Sequence, residues 1–87
     1  MIFNAFEWDD ANIEHMLLHN VVSDEVEEAC VNEPYIRKTA EGRYLVYGIS
    51  GNGRYLFIVG TKKGRGVFRT ITARDMTDRE KSLYKRR

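Results

Sequence analysis

Apolar residues in the first third of the chain recur every three or four positions, and farther on they alternate or run together. That change of period predicts helices followed by strands. Ile2 to Phe6 is a short apolar stretch that predicts an edge strand. Ile13, Met16, Leu17 and Val21 then form one helical stripe, with Asp9 as N-cap and Trp8 placed to pack on Ile13 across the first turn. Ser23 is the expected cap of a second helix. Val26, Ala29 and Cys30 make its inner face, and Glu25, Glu28 and Asn32 its outer one. Pro34 ends that helix, because the residue before a proline avoids helical geometry.

Strand patterns take over after Tyr35. Tyr44 to Ser50 alternates, Gly51-Asn52-Gly53 supplies a hairpin turn, and Arg54 to Thr61 is continuous enough for a central strand covered on both faces. Lys62 to Gly66 is a second turn. Val67 to Ala73 is a third strand, on which strict alternation sends Val67, Arg69, Ile71 and Ala73 one way and Phe68, Thr70, Thr72 and Arg74 the other. Thr77-Asp78-Arg79-Glu80 is a capping box that opens a last helix carrying Leu83 and Tyr84. The expected fold is α+β: two N-terminal helices, an antiparallel meander of three to four strands, and a C-terminal helix on or beside the sheet.

Size and composition narrow the class. Eighty-seven residues, 43% apolar and 31% charged, make one globular domain over 1–87 with a thin core. The single cysteine, Cys30, excludes an internal disulfide and reads as a small buried apolar group in a reducing compartment. No apolar run reaches the length of a membrane span and the N-terminus carries no secretory pattern, so a soluble, cytoplasmic protein is expected.

Charge changes the picture more than composition does. Residues 1–41 hold two basic groups against ten acidic ones, a net −8, and residues 42–87 hold twelve against three, a net +9. The average of +1 hides a basic half that attracts polyanions and an acidic half that repels them. Many of the arginines interleave with strand residues instead of forming a tail.

Candidate chemistry centres on those cations. Arg74 sits where a strand hands over to a helix N-terminus, a natural anion site, and Arg54 opens the central strand. A guanidinium suits a phosphate, and suits better a phosphorane carrying extra negative charge. Arg69, Lys62, Lys63 and Arg65 extend the basic surface as candidate RNA contacts. The competing expectation is that Arg54 and Arg69 pair with the acidic helices. His15 and His19 lie one turn apart with Asn12 on their stripe, yet a metal site needs more ligands, so no metal and no cofactor is expected. His19 and Tyr84 are candidate proton handlers. Glycine-rich nucleotide loops and Ser-His-Asp patterns are missing from the sequence.

The chain also resembles a known family. Trp8-Asp9, Asn12-Ile13-Glu14-His15, His19 and Glu25-Val26-Glu27-Glu28 are similar to the opening of the BrnT family of bacterial toxins. Gly48, Gly53-Arg54-Tyr55-Leu56, the run Thr72-Ala73-Arg74-Asp75-Met76-Thr77, Glu80 and Tyr84 continue the likeness in order. One departure is Asn20, where the family has glycine after its second histidine. The resemblance implies a RelE-like fold and a ribonuclease toxin that inhibits translation. It also implies a cognate antitoxin that binds the toxin and, with it, the operator DNA. Carried over by position are Arg74, Arg54, His19 and Tyr84. On this reading Arg74 stabilises the phosphorane, Arg54 or Arg69 holds a neighbouring phosphate, and His19 or Tyr84 moves the proton. The acidic helices are turned away from RNA or used against a basic partner. The alternative expectation is a non-catalytic module whose basic face binds nucleic acid or an antitoxin in operon repression.

Overall fold

A computed structural model describes residues 3–87 and contains β1 (Ala5–Glu7), α1 (Asp10–Leu17), α2 (Ser23–Val31), β2 (Tyr35–Lys38), β3 (Arg43–Ile49), β4 (Tyr55–Lys63), β5 (Val67–Asp75) and α3 (Asp78–Arg86). The protein is α+β, with one five-stranded sheet in the order β1-β5-β4-β3-β2. Strands β2 to β5 form the antiparallel meander, and β1 adds to β5 in parallel. The first strand is shorter than Ile2 to Phe6, and Ile2 lies outside the described residues. The strand Tyr35–Lys38 had no place in the expected pattern; two of its four residues, Arg37 and Lys38, are exposed, which breaks any apolar alternation.

Asp9 caps α1 as expected. Its side chain accepts from the Asn12 N–H at 3.1 Å, and Asn12 Oδ1 accepts the Asp9 N–H at 2.8 Å. The apolar stripe of α1 is only half realised. Met16 and Val21 are fully buried, but Leu17 is half exposed, because the helix stops there and Asn20 turns the chain at φ +57°. Trp8 packs against the core, and its Nε1 donates to Glu27 Oε2 of α2 at 2.6 Å. The cap of α2 is Val22 rather than Ser23. Valine has no acceptor, so only the return half of a capping box remains, with the Val22 N–H donating to Glu25 Oε1 at 3.2 Å. The inner face of α2 is Val26, Ala29 and Cys30, as its spacing requires.

Both N-terminal helices cover one face of the sheet, where Phe3, Val46, Leu56, Ile58, Phe68 and Ala73 complete the main core. Helix α2 lies so close that a Cβ on Gly48 would land on the Ala29 carbonyl. The other face holds a smaller cluster of Tyr47, Met76 and Tyr84, which α3 covers at one end only. Thr77 and Glu80 cap α3 reciprocally, at 3.2 and 2.9 Å. Among the described residues no helix is long and apolar enough to cross a membrane.

Strict alternation fails on β5. The register runs Ile58 to Ala73 and Val59 to Thr72, then Gly60 to Thr70, leaving Ile71 as the extra residue of a β-bulge. Phe68, Thr70 and Ala73 are all buried on the helix side as a result. Arg69, Thr72 and Arg74 therefore share the other face, although the period-2 pattern separates Arg69 from Arg74.

Candidate functional site

The bulge sets up the arrangement with the most chemistry. Tyr35, Tyr47, Phe57 and Arg74 are consecutive partners across β2, β3, β4 and β5, so they form one row on the less covered face. Ring centroids are 5.6 Å apart for Tyr35 and Tyr47, and 5.1 Å for Tyr47 and Phe57. The Arg74 guanidinium closes the row 4.6 Å above the Phe57 ring. Lys81 and Lys85 of α3 sit 5.6 and 5.5 Å from the Tyr55 ring beside it. A parallel row of Arg43, Thr61 and Arg69 lies farther along the same face.

The three candidate arginines differ in what their N–H groups have left to give. Arg54 has nothing left. Its Nε and Nη2 donate to the Asp75 carboxylate at 2.6 and 3.2 Å. Its Nη1 donates to Asn20 O and Glu25 Oε1 at 2.6 and 3.1 Å, and Nη2 also donates to His19 O at 3.3 Å. Those bonds account for all five donors. The hydrogen bond that Arg54 donates to Asp75 raises the Arg54 pKa and holds the Asp75 carboxyl below the usual carboxylate range. Arg54 is a clamp between the α1–α2 turn and the end of β5. The alternative in which it pairs with an acidic helix is the one realised, through Glu25.

Arg69 pairs in the same manner, with Asp9 at 2.8 and 3.3 Å and with Glu7 at 3.0 Å. Its hydrogen bond holds the Asp9 carboxyl low. Arg74 faces Glu80 end-on, at 2.7 and 2.9 Å, and Nη1 also donates to the Asp75 carbonyl at 3.1 Å. Among the described residues no acceptor meets Nε of Arg69 or Arg74, nor the second hydrogen on Nη2. Each therefore keeps an open side edge, the geometry that takes two phosphate oxygens at once. Arg74 is also the most exposed of the three, at 38% of its side chain against 23% for the others. The Glu80 pKa is lowered first by Arg74 and then by the Thr77 N–H, so this carboxylate stays charged and holds the guanidinium in plane.

Tyr84 and His19 do not flank this row together. Tyr84 is buried at 5% exposure beneath Tyr55, and its hydroxyl donates to Glu33 O at 3.3 Å. His19 is exposed in the α1–α2 turn, and its carbonyl is one of those Arg54 holds. His15 and His19 rings are 6.3 Å apart. Their neighbour Asn12 is engaged by its cap and by Nδ2 bonds to Glu7 O and Thr70 O at 3.0 and 3.2 Å. Among the described residues no group of three His, Cys, Asp or Glu side chains is arranged to hold a metal. Lys62 and Lys63 end β4 and Arg65 lies in the β4–β5 turn, all three exposed. Lys62 and Lys63 lie roughly 17–20 Å along the strand from Arg74, next to Thr61, the partner of Arg69, and Arg65 lies roughly 25 Å away. Cys30 is fully buried, and its thiol is pushed up to about 12 by that burial and by the charge of Glu27, which leaves it inert. A cleft of about 270 Å³ opens between α1 and β5, lined by Ala11, Asn12, His15, Arg69, Thr70 and Ile71.

Sequence reasoning missed Tyr35, Tyr47, Phe57 and Glu80 as members of the site. The capping-box pattern does flag Glu80, but aromatic residues on three separate strands become one row only through register. Fold and site together define a small α+β protein with a cation-bearing aromatic sheet face. Comparison with protein-family models, with curated proteins and with solved structures finds no match for this chain.

Proposed function

We propose that this protein is a RelE-like toxin of the BrnT type, a metal-independent endoribonuclease that cleaves RNA in the cytoplasm and so inhibits translation. The observation that carries the reading is Arg74, whose side edge is open at the end of the Tyr35–Tyr47–Phe57 row. Tyr47 is buried at 5% exposure, so Tyr35 and Phe57 are the rings of the row left to stack unpaired bases, and the adjacent guanidinium takes the phosphate between them. In the proposed reaction the 2′-hydroxyl loses its proton and attacks the adjacent phosphorus, and the 5′-oxygen leaves with a proton. Products are a 2′,3′-cyclic phosphate and a 5′-hydroxyl. Arg74 would stabilise the phosphorane through Nε and Nη2. Arg69, with the same open edge on the same face roughly 15 Å away along the strand, would hold a flanking phosphate better than the saturated Arg54. The Tyr84 hydroxyl is turned to the Glu33 carbonyl and His19 stands in the α1–α2 turn, so neither candidate proton handler hydrogen-bonds to Arg74. The cognate antitoxin, and operator DNA bound by the pair, complete the proposed set of partners.

One observation favours the second reading, a non-catalytic module that binds nucleic acid or an antitoxin. No acid–base side chain other than the ion-paired Glu80 contacts Arg74 among the described residues. Induced expression distinguishes the two readings. Wild type should arrest growth and shorten total RNA, while folded Arg74→Ala should lose cleavage by about a hundredfold or more. Arrest that persists in a folded Arg74→Ala protein would remove Arg74 from the chemistry. Purified wild type that binds RNA without cutting it would leave the binding module.

A further inference from the structure

Among the described residues, three of the four large apolar side chains that stand exposed fall within one six-residue span at the α1–α2 corner: Leu17 at 50%, Leu18 at 77% and Val22 at 47%. Single exposed apolar residues are ordinary, but a cluster marks a contact surface. The corner is also held rigid. Arg54 pins the Asn20 and His19 carbonyls, and Val21 is fully buried between the exposed residues. A surface that is already ordered loses little freedom on binding. Val22 occupies a helix N-cap where serine or aspartate would bond the free N–H groups, so local helix stability does not explain this residue.

Charge selects the occupant. Glu14 lies one turn ahead of Leu17 and Leu18, Asp24 lies two residues beyond Val22, and both are exposed. No lysine or arginine occurs before Arg37, and Arg54, which reaches the corner, has every donor engaged. The local potential repels nucleic acid and anionic lipid. We propose that the α1–α2 corner docks a basic amphipathic segment of a partner protein. Its apolar side lies on Leu17, Leu18 and Val22, and its lysines or arginines reach Glu14 and Asp24. The corner belongs to the helix-covered side of the sheet and Arg74 to the opposite one, so this surface stands apart from the ribonuclease reading.

The test uses the full chain and a labelled amphipathic peptide of leucine and lysine, with an analogue in which glutamate replaces lysine. Fluorescence anisotropy should show saturable binding of the lysine peptide only, weakened by added salt. A Leu17→Ser, Leu18→Ser protein should bind it about tenfold more weakly. Glu14→Lys with Asp24→Lys, which spares the apolar residues, should weaken it as well. Arg74→Ala should bind as wild type does. Failure of the lysine peptide to bind, equal binding of both peptides, or binding indifferent to both variants would overturn the proposal. Self-association of the wild type that is lost in the serine variant would assign the corner to a second copy instead.

Discussion

Arginine is the residue that decides most in this protein, and its three relevant copies behave differently because of how many N–H groups each has committed. Arg54 has committed all of them, so its loss orphans two carboxylates and two carbonyls at once. Arg54→Ala should destabilise the fold by about 2 kcal/mol or more in urea titration, and Arg54→Lys should restore little, because an ammonium cannot fork. Arg74→Ala removes an outer pair and should cost less than about 1 kcal/mol. The contrast separates a structural clamp from an outer ion pair in one experiment. Thr70 offers a prediction of opposite sign. It is 1% exposed, and its hydroxyl meets no partner among the described residues. Thr70→Val keeps the shape and removes a buried unpaired donor, so it should raise stability by about 1 kcal/mol in the same titration.

At the level of elements, helices and strands follow from local chemistry, but their contacts depend on close approach. Gly48 is where α2 meets β3 most tightly, since a Cβ there would collide with the Ala29 backbone. Gly48→Ala should therefore lift α2 from the sheet and cost about 1–3 kcal/mol, read as a lowered melting temperature with strand content retained. Period-2 spacing in Val67 to Ala73 correctly marks a strand and misassigns its faces, because the extra residue at Ile71 reverses the alternation partway. Nothing in a strand's own composition announces a bulge of this kind. It arises where Gly60 leaves room for the Phe68 ring and the Arg69 carbonyl. The outer residues of α2 also fasten it: Glu25 takes Arg54, Glu28 accepts the Gly51 N–H at 2.9 Å, and Asn32 donates to Ile49 O at 3.3 Å.

Across the whole molecule, the segregated charge of the sequence is partly consumed by folding. Asp9, Asp75 and Glu80 each accept from an arginine and are each held below their ordinary pKa. The unfolded chain consequently binds more protons in acid than the folded one. These groups contribute their full stability above the unfolded carboxylate range near pH 4, and that contribution is lost as pH falls through the lowered folded values. Urea midpoints should hold steady from neutral pH to about 5 and drop below about 4. Glu80→Gln should be less stable at neutral pH and show a shallower acid drop. An unchanged drop would exonerate the Arg74–Glu80 pair.

Local structure was legible in the sequence: the Asp9 and Thr77 caps, the glycine hairpin, the inner face of α2, and the α+β order of elements. Those features depend on residues within about five positions of one another, where spacing and side-chain type suffice. Strand β4, expected to be covered on both faces, instead alternates, burying Leu56, Ile58 and Gly60 and leaving Tyr55, Phe57 and Val59 half-covered. The sequence also marked Arg74 as the leading cation. Only the tertiary structure decided which cations remain available, because pairing of Arg54 with Glu25 and Asp75, or of Arg69 with Glu7 and Asp9, joins residues from 21 to 62 positions apart. It alone aligned Tyr35, Tyr47, Phe57 and Arg74. Cross-strand register is a property of chain pairs, set by turns and by the bulge, and no single strand encodes it.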